Sequence, residues 1–451
     1  MIRRACWLLA LLLILMAGCG TSALGPDPDH PVTITMWHNY GGQMKDTMDA
    51  LIAEFNSTVG RERGIVISVT SIQASRDQNE KLAMIARGDP GAPAMPDIAT
   101  AYPAMAMTLW EAGLLAPLDD YFSQEELSGY VEPFVAEGRL PDGKLYVFPV
   151  SKSTEALFLN RTLFDRFSKA AGVTAESLST FEGIASAAQE YYEWTDALTP
   201  DVAGDGKSFF TADSWFNVAL VGAAQLGEPF AGETGLHTES EAFRRVWEFS
   251  VLPALTGAFA VTDGYSSDLS RTGEIVCSLG STAGILFYGD TVTYPDNTKE
   301  QVEYDVLPYP VFSGGRNIAL QRGAGMIVAR STPEKEYAAA LFLKWFTSPS
   351  QNMRFVASTG YLPVTLEAFE TAMAQEIPSV DNPSVKKLLE TAVLMHEGYD
   401  FIVAPQAENA AALADAYEKG IRQAMRSGRQ RVLLGEDPEA VCADLLGGFL
   451  R

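Results

Sequence analysis

The sequence predicts an α/β protein of two lobes, each assembled from two separated pieces of chain. Short β-branched runs alternate with amphipathic helical patterns from Val32 to Glu111, which is typical of a largely parallel sheet covered by helices. Mainly helical patterns then separate two later β-rich regions. A chain of 451 residues exceeds one ordinary domain, so two or three domains are expected. Two α/β lobes, with the chain crossing several times between them, explain this order.

In the first region, strands are predicted where β-branched residues alternate and helices where apolar residues recur every three or four positions. The predicted strands are Val32 to Trp37, Ile65 to Val69 and Asp97 to Thr100, and the predicted helices include Met44 to Phe55, Lys81 to Ala86 and Ala104 to Glu111. Gly41 and Gly42 break the chain between the first strand and the first helix.

The middle of the chain contains the later β-rich regions. Leu145 to Val150 and Ala156 to Asn160 form one pair of β-like runs, and the second region covers Ile275 to Tyr288, Val302 to Leu307 and Gly323 to Val328. Helical patterns fill the chain from these first runs to about residue 255, and again from Pro333 to the end.

Composition and charge exclude several classes of function. The content of 47% apolar and 20% charged residues is that of a globular protein, and a formal net charge of −24 repels nucleic acid and anionic membrane surfaces. No nucleic acid is therefore expected as a partner. No pair of histidines has the spacing of zinc ligands, and the acidic segment 201–207 lacks ligands of a calcium loop, so we expect no metal and no cofactor. The adjacent carboxylates Asp119 and Asp120 do not flank a bond as a glycosidase pair would.

The N-terminus predicts export. Arg3 and Arg4 precede the apolar stretch from Trp7 to Ala17, and small residues then lead into Cys19, as in a secretory signal. About eleven apolar residues are too few to cross a hydrocarbon core of roughly 30 Å. The run at 15–19, Leu-Met-Ala-Gly-Cys, resembles the lipobox of bacterial lipoproteins. That resemblance implies a signal peptide of residues 1–18 and a lipid on the cysteine.

The lipidated protein is expected to be anchored to the cell envelope, in the periplasm or on the outer surface of the cytoplasmic membrane. Residues 19–31 are rich in glycine, proline and aspartate and predict a tether between the lipid and the fold. Cys277 and Cys442 remain after processing. A disulfide or two separately buried thiols both fit the sequence.

An ordered series of short motifs extends over residues 32–365. The motifs are Ile34 to Tyr40, Pro96-Asp97-Ile98, Gly143 to Asn160, Gly273 to Gly284, Gly323 to Val328, Phe342 to Phe346 and Thr359 to Val364. This series resembles the extracellular solute-binding proteins of bacterial ABC importers, in the carbohydrate-type family that includes binders of maltodextrin and of glycerol 3-phosphate. The resemblance implies a two-lobe, periplasmic-binding-protein-like fold of type II, in which each lobe is discontinuous and a multi-strand hinge joins them.

The resemblance also implies how the chain is divided and what it does. Lobe one is expected to contain residues 32–150 and 279–323, and lobe two residues 151–278 and 324–451. The expected function is non-catalytic: a monomer captures a carbohydrate or polyol between the lobes and delivers it to the membrane permease of an ABC importer, with the lobes closing around the solute.

Sugar and polyol sites combine aromatic faces with a few polar groups. The residues expected to bind the ligand are Asn39, Tyr40, Ser153, Glu155, Trp215, Ser281, Arg322, Gly323 and Tyr361. Asn39 and Tyr40 follow the first strand, at the edge where open α/β sheets bind ligands, and the others lie at the crossovers and in the second lobe. A structural role is an alternative for each of them: a helix cap for Asn39, a turn for Ser153, close strand packing for Gly323 and a helical core for Trp215.

Two other functions remain open at this point. If Arg322 and Lys152 both point into the cleft, they would pair with the anion of a sugar phosphate or a glycerophospho compound. If they do not, they are solvated hinge charges. A surface glycoside hydrolase, which would need a paired aspartate and glutamate, is the alternative from another class.

Overall fold

The computed structural model describes residues 25–72, 74–232, 235–405 and 410–449. The predicted signal peptide and the lipidation site Cys19 lie outside these residues. Within the described part of the chain, no helix is both long and apolar enough to cross a bilayer.

The described strands and helices alternate along most of the chain. The strands are β1 (Val32–His38), β2 (Ile65–Ser71), β3 (Ile98–Ala101), β4 (Glu155–Asn160), β5 (Phe210–Ala212), β6 (Ala231–Gly232), β7 (Gly235–Leu236), β8 (Cys277–Ser281), β9 (Thr291–Thr293), β10 (Lys299–Gln301), β11 (Tyr304–Leu307), β12 (Ile318–Gln321), β13 (Gly325–Val328) and β14 (Asp400–Val403). The α-helices are α1 (Gly42–Ser57), α2 (Val59–Arg63), α3 (Ser75–Arg87), α4 (Pro103–Glu111), α5 (Gln124–Leu127), α6 (Glu132–Glu137), α7 (Arg161–Ala171), α8 (Phe181–Asp196), α9 (Trp215–Gln225), α10 (Glu241–Thr256), α11 (Ser266–Arg271), α12 (Pro333–Phe346), α13 (Pro349–Thr359), α14 (Met373–Glu376), α15 (Pro383–Gly398), α16 (Ala410–Leu433) and α17 (Pro438–Phe449).

The first sheet has the strand order β13-β3-β1-β2. β1 runs parallel to β2 and β3, and β13 runs antiparallel to β3. Alternate residues of β1, Ile34 and Met36, are fully buried in the same core cluster as Met48 and Phe55 of α1, as the helical and strand periodicities predict. The carboxyl ends of β1 and β3 therefore share one edge, which places the residues that follow them side by side.

The second sheet has the order β11-β4-β8-β5. β4 is antiparallel to both β8 and β11, while β5 is parallel to β8. All six residues of β4 are buried, and the strand is paired on both sides, by β8 and β11. An aromatic-rich core surrounds it, in which Phe210 packs against Phe259 and Phe249. This sheet and its helices form the second lobe.

The sheets divide the chain differently from the expected pieces. β13 lies in the first sheet, although residues 324–451 were assigned to lobe two, and β11 lies in the second sheet, although residues 279–323 were assigned to lobe one. β13 pairs there because it places Ile327, which is fully buried, opposite the buried Ala99. Such pairing depends on partners far apart in sequence, which a local pattern does not specify.

Several local predictions also change in the structure. The run from Leu145 to Val150 forms isolated bridges rather than a strand. The β-rich region that begins at Ile275 contains the strand β8 and then a 3₁₀ turn, Thr282–Phe287. Cys277 and Cys442 are both buried and unbonded, so the reading as separately buried thiols is confirmed.

Candidate functional site

Several short chain segments meet side by side between the two sheets. Ser153 and Arg322 exchange both backbone hydrogen bonds, at 2.9 and 2.7 Å, and Lys152 and Leu362 do the same at 3.1 and 2.6 Å. The residue after β8 joins them, because the amide of Thr282 donates to the carbonyl that precedes β4 (2.9 Å). These bridges link the crossing segments into one unit, and the side chains that project from it lie between the lobes.

Tyrosines form one wall of this region. Tyr40 follows β1, Tyr102 follows β3, and Tyr361 follows α13. The rings of Tyr40 and Tyr361 meet edge to face with centroids 6.3 Å apart, and both pack on Phe355. Tyr102 is 45% exposed. We call Tyr40, Tyr102 and Tyr361 the tyrosine wall.

Burial disfavours ionisation of the phenols of Tyr40 and Tyr361. Burial raises the pKa of Tyr40 to about 12, against the opposing effect of the Ser151 hydroxyl. Burial also raises the pKa of Tyr361, while the nearby Arg322 guanidinium lowers it. The Tyr361 hydroxyl has no hydrogen-bond partner among the described residues, so it is available as both donor and acceptor.

Arg322 and Glu155 form an ion pair at the floor of this region. Arg322 Nη1 donates to Glu155 Oε1 at 2.8 Å, and Asn217 Nδ2 donates to the same oxygen at 2.6 Å. The Glu155 side chain is 3% exposed, whereas that of Arg322 is 40% exposed. Burial raises the pKa of the Glu155 carboxyl, although Arg322 and Asn217 both oppose this shift. One edge of the guanidinium is therefore bound to protein, and its remaining N–H donors face open space.

A second carboxylate, Asp213, lies close to this pair. Its Oδ1 accepts from the Ser266 amide at 2.8 Å. A methyl group at Gly280 would lie 2.6 Å from Asp213 Oδ2, so the carboxyl group would have to shift to accommodate it. Burial raises the pKa of Asp213, while Arg322 and Arg422 lower it. We call Arg322, Glu155, Asn217 and Asp213 the polar floor.

Comparison with known proteins identifies the family to which this chain belongs. Residues 50–382 match the family of bacterial extracellular solute-binding proteins. The chain belongs to that family. The sn-glycerol-3-phosphate-binding periplasmic protein UgpB of Rhizobium meliloti (strain 1021) is 23% identical over 412 residues, covering 87% of this chain and 89% of the relative.

Solved structures of similar fold are also known. A cyclic alpha-maltosyl-1,6-maltose binding protein from Arthrobacter globiformis matches with a TM-score of 0.70 at 19% identity, covering 92% of this chain and 97% of the other. UgpB from Mycobacterium tuberculosis in complex with glycerophosphocholine matches with a TM-score of 0.66 at 17% identity, covering 92% and 96%. These structures establish the fold, and the two-lobed α/β architecture predicted from the sequence is confirmed.

In this solute-binding protein, several predicted site residues lie together at the crossover. Arg322, Glu155, Tyr361 and Tyr40 form parts of the polar floor and the tyrosine wall. Ser153 is 4% exposed and its hydroxyl, like that of the half-buried Ser281, has no hydrogen-bond partner among the described residues. The structure thus brings together residues from distant parts of the chain, as the resemblance implies.

Asn39 lies beside the crossover, but its amide already has partners. Its Nδ2 donates to Ser75 Oγ and its Oδ1 accepts from Thr100 Oγ1 at 3.1 Å. With Tyr102 and Ala324 it lines a crevice that is too narrow to hold a water molecule. These hydrogen bonds support a structural role for Asn39.

Trp215 is not placed for stacking on a ligand. It is 1% exposed and packs against Phe210 and Phe259 in the core of the second lobe. Phe216, at the next position, is also buried against Phe230. The sequence pattern shows only that these residues are apolar. In the structure both faces of α9 are buried, so none of its aromatic rings is exposed to solvent.

Lys152 and Gly323 also have structural roles. Lys152 is neither a ligand for an anion nor a solvated charge, because its Nζ donates to Glu137 Oε2 at 2.6 Å and to the Gly323 carbonyl at 3.2 Å, and the side chain is 3% exposed. Gly323 has φ +103°, and a methyl group there would lie 3.1 Å from the Lys152 backbone. Close chain packing therefore accounts for this glycine.

Sequence reasoning missed Asp213, Asn217 and Tyr102. Asp213 directly follows β5 and Tyr102 directly follows β3, at strand ends of the kind that singled out Asn39 and Tyr40. The signal was present, but β5 has only three residues and does not stand out from the helices around it.

Proposed function

We propose that this protein is the substrate-binding receptor of an ABC importer, and that it binds a carbohydrate or polyol between its two lobes. The observation that carries the proposal is the juxtaposition of the tyrosine wall with the polar floor. The rings of the exposed Tyr102 and the half-buried Tyr361 suit the C–H surfaces of a sugar, whereas Tyr40, at 5% exposed, supports the wall from the core. The guanidinium, carboxyl groups and free hydroxyls suit the sugar hydroxyl groups. The relatives named for maltosyl-maltose and glycerol 3-phosphate support a small polyhydroxylated solute.

The site is suited to binding rather than catalysis. Ser153, Ser281 and Tyr361 offer hydroxyls from the crossing segments, so a ligand that reaches them contacts both lobes. Binding that joins the lobes favours a closed form over an open one, because only the closed form makes both sets of contacts. A permease that recognises the closed form would then receive loaded protein.

A phosphorylated solute is the second candidate. Relatives named for glycerol 3-phosphate and glycerophosphocholine favour it, and Arg322 retains free N–H groups that would donate to a phosphate oxygen. Lys152 does not contribute to this alternative, because its charge is buried against Glu137.

We further propose that the mature protein is a monomer held at the envelope by a lipid on Cys19. The family is extracellular, which agrees with an exported chain. The test is Cys19→Ser in the native host: the variant should appear in the soluble fraction, whereas the unaltered protein stays with membranes. Equal partitioning of both would contradict a lipid anchor.

The proposed ligand class is tested by thermal unfolding of the full-length exported protein in mild detergent. The panel contains glucose, maltose, maltotriose and glycerol, together with glycerol 3-phosphate and glycerophosphocholine. A ligand present at 100 times its Kd stabilises the folded state by about 2.7 kcal/mol, which gives a clear rise in Tm. Product analysis of any bound oligosaccharide checks for cleavage, and a cleaved product would support a glycoside hydrolase instead.

A matched pair of variants locates the site. Tyr361→Phe removes a hydroxyl of the tyrosine wall and should weaken binding about fivefold, the equivalent of one hydrogen bond of about 1 kcal/mol. Tyr337→Phe removes a hydroxyl that has no hydrogen-bond partner among the described residues and should leave the affinity unchanged. Equal affinities of both variants and the unaltered protein would place the ligand elsewhere, and no stabilisation by any panel member would contradict the proposed ligand class.

A further inference from the structure

The polar floor contains one cation and two carboxyl groups. Arg322 is the cation, and it donates to the buried carboxyl group of Glu155 at 2.8 Å. The half-buried carboxyl group of Asp213 lies within its electrostatic reach. The two carboxylates also act on each other, because Asp213 raises the pKa of Glu155. An anionic ligand that approaches Arg322 therefore meets a guanidinium that is already paired with Glu155, with a second carboxyl group nearby.

The neighbouring cations Lys152 and Arg422 add no free positive charge to the polar floor, because each is already paired with a carboxylate. Lys152 is bound to Glu137 at 2.6 Å, with both side chains almost fully buried. Arg422, which donates to the Asp213 carbonyl at 3.4 Å, is paired with Glu418 at 3.1 Å. Among the described residues of the crossover, the N–H groups that are still free to donate belong to Arg322. Glu155 already pairs with the charge of that guanidinium.

Glu155 pairs with the positive charge of Arg322 but accepts from only part of its N–H groups. Only Nη1 of the guanidinium binds the carboxylate, so the remaining N–H groups still donate to a ligand. A compensated guanidinium donates hydrogen bonds to neutral hydroxyl oxygens, but it offers little net attraction to a phosphate. This arrangement suits a neutral polyhydroxylated ligand.

We propose that Glu155 is a specificity-determining residue that, with Asp213, makes the site selective for uncharged carbohydrates and polyols and excludes their phosphates. This inference rests on the proposed function and deepens it by choosing between its two ligand classes. The interaction of unit charges separated by about 6 Å, at an effective dielectric constant of about 20, is large enough to change affinity by about tenfold or more even after screening by salt.

The experiment measures binding of glycerol 3-phosphate and of the neutral sugar panel by calorimetry on the full-length protein in detergent. Glu155→Gln keeps the size and an acceptor oxygen for Arg322 but removes the charge, so it should bind glycerol 3-phosphate about tenfold or more tightly than the unaltered protein does. Adding Arg322→Gln to that variant should abolish the gain. Asp213→Asn supplies a second, independent removal of charge and should shift affinity in the same direction.

A matched control is Glu182→Gln, which removes a carboxylate paired with Arg245 on the surface of the second lobe. It should leave the affinity for glycerol 3-phosphate unchanged. If the unaltered protein binds glycerol 3-phosphate at least as tightly as Glu155→Gln and Asp213→Asn do, the proposed selectivity is overturned. Unfolding curves of each variant show that any loss of binding is not a loss of folding.

The two proposals fail in different ways. A neutral sugar that binds the unaltered protein, with no gain of phosphate affinity in either charge variant, would refute the role of Glu155 and leave the proposed function standing. A gain of phosphate affinity in the charge variants, with no sugar bound by the unaltered protein, would support the role of Glu155 and refute the carbohydrate assignment.

Discussion

Replacing Lys152 by methionine tests whether the buried ion pair stabilises the crossover. Lys152 Nζ lies 2.6 Å from Glu137 Oε2, and the two side chains are 3% and 7% exposed. The substitution leaves the Glu137 carboxylate buried with only the Gln321 side chain donating to it. Removing one partner of a buried ion pair costs about 3–5 kcal/mol, since the remaining charge is desolvated and uncompensated.

The second substitution provides the decisive comparison. Glu137→Gln, made in the Lys152→Met background, removes the stranded charge and should recover much of the lost free energy of unfolding, because two neutral side chains need no ionic partner. Urea unfolding of the two single variants, the double variant and the unaltered protein completes a double-mutant cycle. Strictly additive losses would mean that the two side chains do not interact.

A surface pair supplies the control for this cycle. Arg76 and Glu80, one turn apart in α3, are 86% and 62% exposed, and breaking their pair should leave the free energy of unfolding unchanged. A loss below about 1 kcal/mol for Lys152→Met would refute the reasoning from burial. The variant should also bind glycerol 3-phosphate as the unaltered protein does, because Lys152 does not reach the ligand.

Three further predictions concern other buried groups. Gly280→Ala should cost about 1–3 kcal/mol in urea unfolding, because its methyl group would lie 2.6 Å from Asp213 Oδ2; an unchanged midpoint would contradict this close approach. Burial lowers the pKa of His38 from 6.5 to about 4, so the folded state resists protonation that the unfolded state accepts. Stability should therefore be complete above about pH 6.5 and fall by about 3 kcal/mol as the pH approaches 4, a dependence that His38→Asn removes; parallel pH profiles would refute it. Burial raises the pKa of Cys442 to about 11 and that of Cys277 above its usual value, so neither thiol should react with a thiol reagent until the protein unfolds. Rapid labelling of the native protein would contradict this.

Local patterns in the sequence predicted most of the secondary structure of the first lobe. The alternation in Val32–His38 and the apolar stripe of Gly42–Ser57 depend on residues a few positions apart, and both elements form as expected. The resemblance placed Glu155 at the first crossover and the motif of Tyr361 at the cleft, whereas Arg322 departed from the family pattern; in the structure all three lie near the bridged segments. Their sequence positions indicate a role between the lobes because crossing segments are the places where the chain leaves one sheet for the other.

Residue type and spacing predicted the role of a side chain less well where that role depends on the residues it contacts. Lys152 and Arg322 are both basic residues at the crossover, yet the first is buried against Glu137 and the second keeps free donors. Trp215 has the ring expected of a sugar platform, but neighbouring helices cover it.

The sequence by itself determined the class of fold, because this depends on composition and on short-range periodicity. The resemblance to solute-binding proteins supplied the segments that cross between the lobes, and the export signal stays a prediction. The tertiary structure decided that β13 joins the first sheet, that Asp213 lies beside Glu155, and which cation remains open to a ligand. Each of these depends on contacts between residues far apart in the chain, whose distance and burial set their charge balance, and no local pattern specifies such contacts.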